Sequence, residues 1–208
     1  MPDELNLHYS NISNSPHEDP TASINIINDA STDGFIFQKV SVNDVILAVS
    51  YFNSQAKGDD GIPQSIIAKA LLTIAPYLTK LFNTSLSTSH FPSAWKKSCI
   101  LALKKVPAPS STSDFRPIAL LCFLAKVLEK LAHDQITDYL QQNKLLDPLQ
   151  TGFRPYSSCE TALIKLTEEI RSGRSKRLIT LLLQFDFSKA FDSISPSKFI
   201  EKLISMVL

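Results

Sequence analysis

The chain has 208 residues, 44% apolar and 20% charged, the balance of a globular protein with a real core. Its five Gly and 12 Pro show no repeat period, which excludes collagen-like and solenoid architectures. The net charge of +1 hides an asymmetry: residues 1–93 carry 4 Lys+Arg against 9 Asp+Glu, residues 94–180 carry 14 against 8, and residues 181–208 carry 3 of each. The positive excess therefore sits mid-chain, where a polyanion could bind; a solvated surface of mixed sign is the competing reading.

Residues 1–34 are rich in Asn, Ser, Asp, Pro and Thr and read as a linker or loose arm. The start, Met1-Pro2-Asp3-Glu4, is acidic and lacks the regions of a signal peptide. Phe35–Val40 suits a short strand, and Ser41 caps a helix through Val45, Ile46 and Val49. A polar loop from Gln55 to Ile62 follows. Pro63 and Pro76 each suit the first turn of a helix, with Ile66, Ile67, Leu71, Leu72, Leu78, Phe82 and Leu86 at helical spacing. No apolar run reaches the roughly 20 residues of a membrane span.

Ser98–Lys105 and Phe115–Leu120 predict a β-hairpin with a long tip of Pro and Ser/Thr residues. A long helix is expected from about Leu121 to Gln142, with Leu124, Val127, Leu128, Leu131 and Ile136 as its apolar stripe. Ser157 and Glu160 suggest a capping box for the next helix; Leu163, Leu166 and Ile170 supply its buried face and Gly173 its stop. Leu178–Phe187 reads as a buried central strand, and Ser195-Pro196 opens a last helix over residues 197–208. That helix carries Ile200, Leu203, Ile204 and Val207, apolar residues that need a cover.

Cys99, Cys122 and Cys159 are odd in number and form no CxxC pair, which points to reduced thiols in an intracellular protein without disulfide partners. His8, His17, His90 and His133 are scattered, at no zinc-ligand spacing, and read as surface residues.

The sharpest chemical signal is Gln184-Phe185-Asp186-Phe187-Ser188-Lys189-Ala190-Phe191-Asp192. A carboxylate at the end of an apolar strand is a hard oxygen ligand of the kind magnesium takes beside phosphates. Its plain alternative is a residue that caps a turn. The segment resembles the first catalytic motif of reverse transcriptases, which in non-LTR retrotransposons commonly reads Leu-Asp-Leu-Ser-Lys-Ala-Phe-Asp. Further segments agree in order. Gly58-Asp59-Asp60-Gly61-Ile62-Pro63 is similar to Gly-Pro-Asp-Gly-Ile-Pro, and Phe91-Pro92-Ser93-Ala94-Trp95-Lys96 to Phe-Pro-x-x-Trp-Lys. Ile100–Lys105 resembles the family's apolar strand ending in Pro-Lys-Lys, and Asp114–Leu120 its Tyr-Arg-Pro-Ile-Ser-Leu, with Phe115 and Ala119 as departures. Gln150–Arg154 and Ser158–Leu163 resemble Gln-x-Gly-Phe-Arg and Ser-Thr-Glu-Thr-Ala-Leu.

The resemblance spans residues 35–208 and is to a jockey-like enzyme. It implies a mixed α/β chain of the polymerase right-hand fold: an arm over 1–34, fingers over 35–180 and the start of the palm over 181–208. It implies that Asp186 is the catalytic residue and a Mg2+ ligand, and that Phe191 is the steric gate that excludes a 2′-hydroxyl. Lys104, Lys105 and Arg116 are expected on one face of the hairpin, gripping a deoxynucleoside triphosphate. Gln150, Gly152 and Arg154 are expected along the RNA template, from which a DNA primer is extended.

The family's later Ala-Asp-Asp segment does not occur. The adjacent acidic pairs Asp3-Glu4, Glu18-Asp19, Asp59-Asp60 and Glu168-Glu169 all precede Asp186. The expectation is a truncated fragment, inactive alone; a non-catalytic nucleic-acid-binding remnant is the second reading. A phosphohydrolase with Asp186 as nucleophile ranks below both, because Ser188 stands where such enzymes often carry a second acid.

Overall fold

The computed structural model describes residues 3–5, 7, 34–187, 190–191 and 194–207. His8, His17 and nearly all of the polar arm lie outside them. In chain order come α1 (Val42–Tyr51), α2 (Gln64–Thr88), a 3-10 turn (Ser93–Lys96), β1 (Ser98–Lys104), β2 (Phe115–Leu121), α3 (Phe123–Gln142), α4 (Cys159–Ser175) and α5 (Pro196–Val207). This is a mixed helix-and-strand chain, as expected.

The core is helical. Val45 and Val49 of α1, Ala75 and Phe82 of α2 and Val127 of α3 are fully buried, at the helical spacing that gives each helix one apolar stripe. Phe91 and Trp95 pack against this cluster, with Trp95 6.1 Å from both Phe82 and Phe91 between ring centroids. The Phe-Pro-x-x-Trp segment thus packs on the helical core just before the hairpin in the chain.

Ser41 caps α1 as expected: its hydroxyl accepts from Asp44 N at 3.2 Å, and the Asp44 carboxylate accepts from Ser41 N at 2.7 Å. The residues before it, 35–40, are not a strand. Their backbone is met by side-chain amides instead. Asn83 pairs with N–H and C=O of Val40 at 2.8 and 2.9 Å, and Gln135 with those of Gln38 at 2.7 and 3.0 Å.

Pro76 does not start a second helix. It lies inside the 25-residue α2, on the solvent face beside exposed Leu72 and Tyr77, where water can reach the Leu72 carbonyl that Pro76 cannot bond. By length and composition α2 is the one described helix that could cross a membrane. Here its buried stripe of Ile67, Leu71, Ala75, Leu78 and Phe82 makes it a core helix.

The hairpin forms as expected, β1 and β2 antiparallel from Ser98↔Leu121 to Lys104↔Phe115. Gly58 fixes it to the helices. A Cβ on Gly58 would stand 2.4 Å from Cys122 N and 2.6 Å from Leu121 C, so only glycine lets this loop meet the β2–α3 junction.

The second half of the chain departs from expectation. The α4 capping box is Ser158 with Thr161, one residue beyond the expected pair. Gly173 lies within α4. The helix ends instead in a Schellman turn, Leu178 N to Gly173 O at 2.9 Å and Arg177 N to Arg174 O at 3.0 Å, with Arg177 at φ 60°. Leu163, Leu166 and Ile170 are not buried. Leu178–Phe187 is neither a strand nor buried: a strand exists through a partner's N–H and C=O groups, and among the described residues β1 and β2 pair only with each other. Pro196 opens α5 as expected.

Candidate functional site

Asp186 lies in the irregular segment 178–187, solvent-exposed, without a hydrogen-bond or ion-pair partner among the described residues. The expected strand end is absent, but the carboxylate is free and accessible. No group of three or more His, Cys, Asp or Glu comes together among the described residues. The donor set therefore offers one hard oxygen ligand and does not by itself compose a metal centre.

Phe191 is exposed and meets Phe153 edge to face, ring centroids 6.0 Å apart. Residues far apart in the chain are thus joined: the loop after α3 touches the aromatic that follows Asp186. Phe153 holds φ 57° and is 92% exposed, and Tyr156 holds φ 59° and is fully exposed. Non-glycine residues seldom adopt this conformation, and here two large aromatics hold it almost wholly exposed.

Within the loop, Gln150 Nε2 donates to Gly152 O at 3.2 Å, and Gln150 N to Asp147 O at 3.2 Å. Nothing lies within 4 Å of a Cβ built on Gly152, so its flank is open to an approaching ligand. Gln150 and half-buried Arg154 line one cavity of about 540 Å³, together with Lys144 and Lys165. The two lysines were not expected from the sequence. The signal that could have found them is the positive excess over residues 94–180, which does not say which cations converge.

The hairpin does not bring its three cations to one face. Register pairs Leu103 with Arg116 and Lys104 with Phe115. Facing residues share a face and successive residues alternate, so Lys104 and Arg116 point to opposite sides. Lys105 is tied to the tip, its Nζ donating to Ser113 O at 2.8 Å and its N to Asp114 O at 2.7 Å. Asp114 in turn accepts from Ser110 N and Ser111 N at 2.8 and 2.9 Å, which holds its carboxyl below the usual carboxylate range. Arg116 is exposed and has no ion pair among the described residues.

Cys99 and Cys159 are exposed free thiols and Cys122 is buried; none is disulfide-bonded. Cys99 Sγ lies 3.9 Å from Asp59 Oδ1, a second tie between the Gly58 loop and the hairpin.

Residues 102–208 match the reverse transcriptase (RNA-dependent DNA polymerase) family. The chain is 25% identical over 166 residues to a probable RNA-directed DNA polymerase from transposon BS of Drosophila melanogaster, covering 79% of this chain and 18% of that protein. It is 28% identical over 164 residues to its counterpart from the X-element of the same fly, covering 76% and 17%. A third relative, the RNA-directed DNA polymerase from mobile element jockey, is 24% identical over 141 residues, covering 67% and 15%. The chain spans less than a fifth of the length of these relatives.

Proposed function

Because the chain belongs to the reverse transcriptase (RNA-dependent DNA polymerase) family and is similar to jockey-like and other non-LTR members, we propose that it forms the fingers and early palm of a right-hand polymerase that extends a DNA primer on an RNA template. The observation that carries this reading is the contact of Phe153 with Phe191. It puts the loop of Gln150, Gly152 and Arg154 beside the residue whose aromatic ring would exclude a 2′-hydroxyl from the incoming nucleotide.

In this reading Gln150, Gly152 and Arg154 support the template, and Arg116 is the hairpin's contact to triphosphate, its fork of donors matching phosphate oxygens. Lys104 serves the opposite face, and Lys105 positions the tip through Ser113. Reverse transcriptases work with divalent metal ions. Asp186 would give one oxygen ligand, and magnesium is the ion that suits a carboxylate beside phosphates. The remaining carboxylates of such a centre are not composed by the described residues, so catalysis is proposed only for a chain that supplies them. The free thiols suit a reducing intracellular setting.

The test is primer extension on an RNA template with magnesium and four deoxynucleotides. It compares the 208-residue chain, a longer chain that includes an Ala-Asp-Asp segment, and each with Asp186→Ala. Extension is expected from the longer chain alone and lost with Asp186→Ala. Extension by the 208-residue chain that disappears in Asp186→Ala would overturn the reading of this chain as incomplete for catalysis. In the longer chain Arg116→Ala should raise KM for nucleotide or lower kcat by a contact of roughly 1.5–3 kcal/mol, the scale for a hydrogen bond to a charged group. Salt-dependent RNA binding with no extension from either chain would favour the second reading, a non-catalytic nucleic-acid-binding remnant.

A further inference from the structure

We infer that the cavity beneath the loop after α3 seats the phosphodiester backbone of a single-stranded nucleic acid, with Lys144 and Lys165 as contacts that the family pattern does not mark. The inference rests on the reading of Gln150 and Arg154 as template-side residues and extends it to two further cations.

Three observations converge. Lys144, Arg154 and Lys165 line one cavity of about 540 Å³, and no carboxylate lines it. Arg154 is half-buried, and none of the three has an ion pair among the described residues. Lys144 and Lys165 are exposed, so the three like charges gathered at one cavity without a counter-ion repel one another through solvent, and an anion among them removes that cost, most of all at half-buried Arg154. The cavity between α1 and α3 provides the contrast. There Lys39 and Lys130 are balanced by Asp44, Asp134 and Asp138, which leaves no excess for a polyanion.

The second observation is backbone. Lys144 sits at φ 55° just past the end of α3, where glycine or asparagine is the usual choice. Leu145 N closes the turn on Leu140 O at 2.9 Å, which holds the lysine at the cavity wall. The third is the neighbourhood. Phe153 and Tyr156 flank Arg154 and its proline, both with positive φ and almost wholly exposed. Aromatic faces alternating with cations suit unstacked bases joined by phosphates, whereas a free small anion would use the cations alone. Single-stranded RNA and single-stranded DNA share this chemistry.

The test measures fluorescence anisotropy of labelled single-stranded RNA, and separately DNA, of about a dozen nucleotides. The whole chain is compared with the pair Lys144→Asn and Lys165→Gln across roughly 50–200 mM salt. Asparagine tolerates the left-handed backbone, so the fold is kept, which circular dichroism checks. Removing two phosphate contacts should make the slope of log K against log salt shallower by about 1.4, at about 0.7 per contact on a single strand. The matched pair Lys69→Gln and Lys80→Gln on α2 removes the same charge outside the cavity and should leave the slope unchanged. A slope unaltered by the cavity pair, while Arg154→Ala weakens binding, overturns this inference and leaves the template-side reading standing. Equal effects of the two lysine pairs overturn it as well, since net charge alone would then account for binding. No binding of either strand by the unaltered chain overturns both readings.

Discussion

Gly58 and Gly152 separate two reasons for a glycine. At Gly58 a Cβ would enter backbone atoms of Leu121 and Cys122, which cannot turn aside as a side chain can. Gly58→Ala should therefore lower stability by about 1–3 kcal/mol, the range for overpacking, read as a lower denaturant midpoint. Gly152 has open space on its Cβ side and no left-handed backbone. Gly152→Ala should change stability by less than about 0.5 kcal/mol, as surface substitutions usually do. If a template strand lies against it, the same variant weakens RNA binding, and unchanged affinity would remove Gly152 from the site. Asp186 differs from both. It is exposed and has no partner among the described residues, so Asp186→Ala should leave the melting temperature in place.

Among the elements, those set by local chemistry were legible and those set by distant partners were not. The Ser41 cap needs only four consecutive residues and forms as read, and the structure adds Asp44 as the second half of a capping box. Its strength can be checked with pH. The backbone N–H and hydroxyl of Ser41 hold the Asp44 carboxyl below its ordinary value, so its contribution is present above the unfolded value near 4 and fades as pH falls through the lowered folded one. Asp44→Asn should cost about 0.3–1 kcal/mol at pH 7, the scale of a charge at a helix N-terminus, and almost nothing at the acid end. A difference that stays constant with pH would place the effect elsewhere. The hairpin and α3 were also legible, from turn residues between two apolar segments and from a 3.6-residue stripe. Pro76 misled because its tolerance depends on which side of α2 faces water, and that follows from the packing of α1 and α3. Residues 178–187 misled more fully, since their apolar run records what a strand would need and not whether a partner is present. The candidate site divides the same way. Motif order pointed to Asp186, Arg116 and the loop of Gln150, while the meeting of Phe153 with Phe191 and the convergence of Lys144 with Arg154 are tertiary facts.

Across the whole molecule, cohesion is uneven. Every buried side chain among the described residues lies between Val40 and Leu131, and none lies in α4, in residues 178–187 or in α5. Burial of apolar area is the main force that holds a fold together, so the two parts should open at different free energies. Phe82 is fully buried at the centre of the helical core, and Phe82→Ala should cost about 3–5 kcal/mol and unfold α1, α2 and α3 together. The later part makes the opposite prediction. Ile179 is 99% exposed and Leu181 80%, within a run that also exposes Leu183, Phe185 and Phe187. An uncovered apolar run of this kind attracts hydrophobic dyes and other chains. The double change Ile179→Lys and Leu181→Lys should therefore lower dye binding and self-association and leave the melting temperature of the core unchanged, because it removes no buried contact. Hydrogen exchange gives the spatial check: amides of α1, α2 and the first half of α3 protected to the level of global unfolding, those of residues 178–187 exchanging freely. Strong protection across 178–187 would mean that the run is covered in solution, and the lysine pair would then lower the melting temperature.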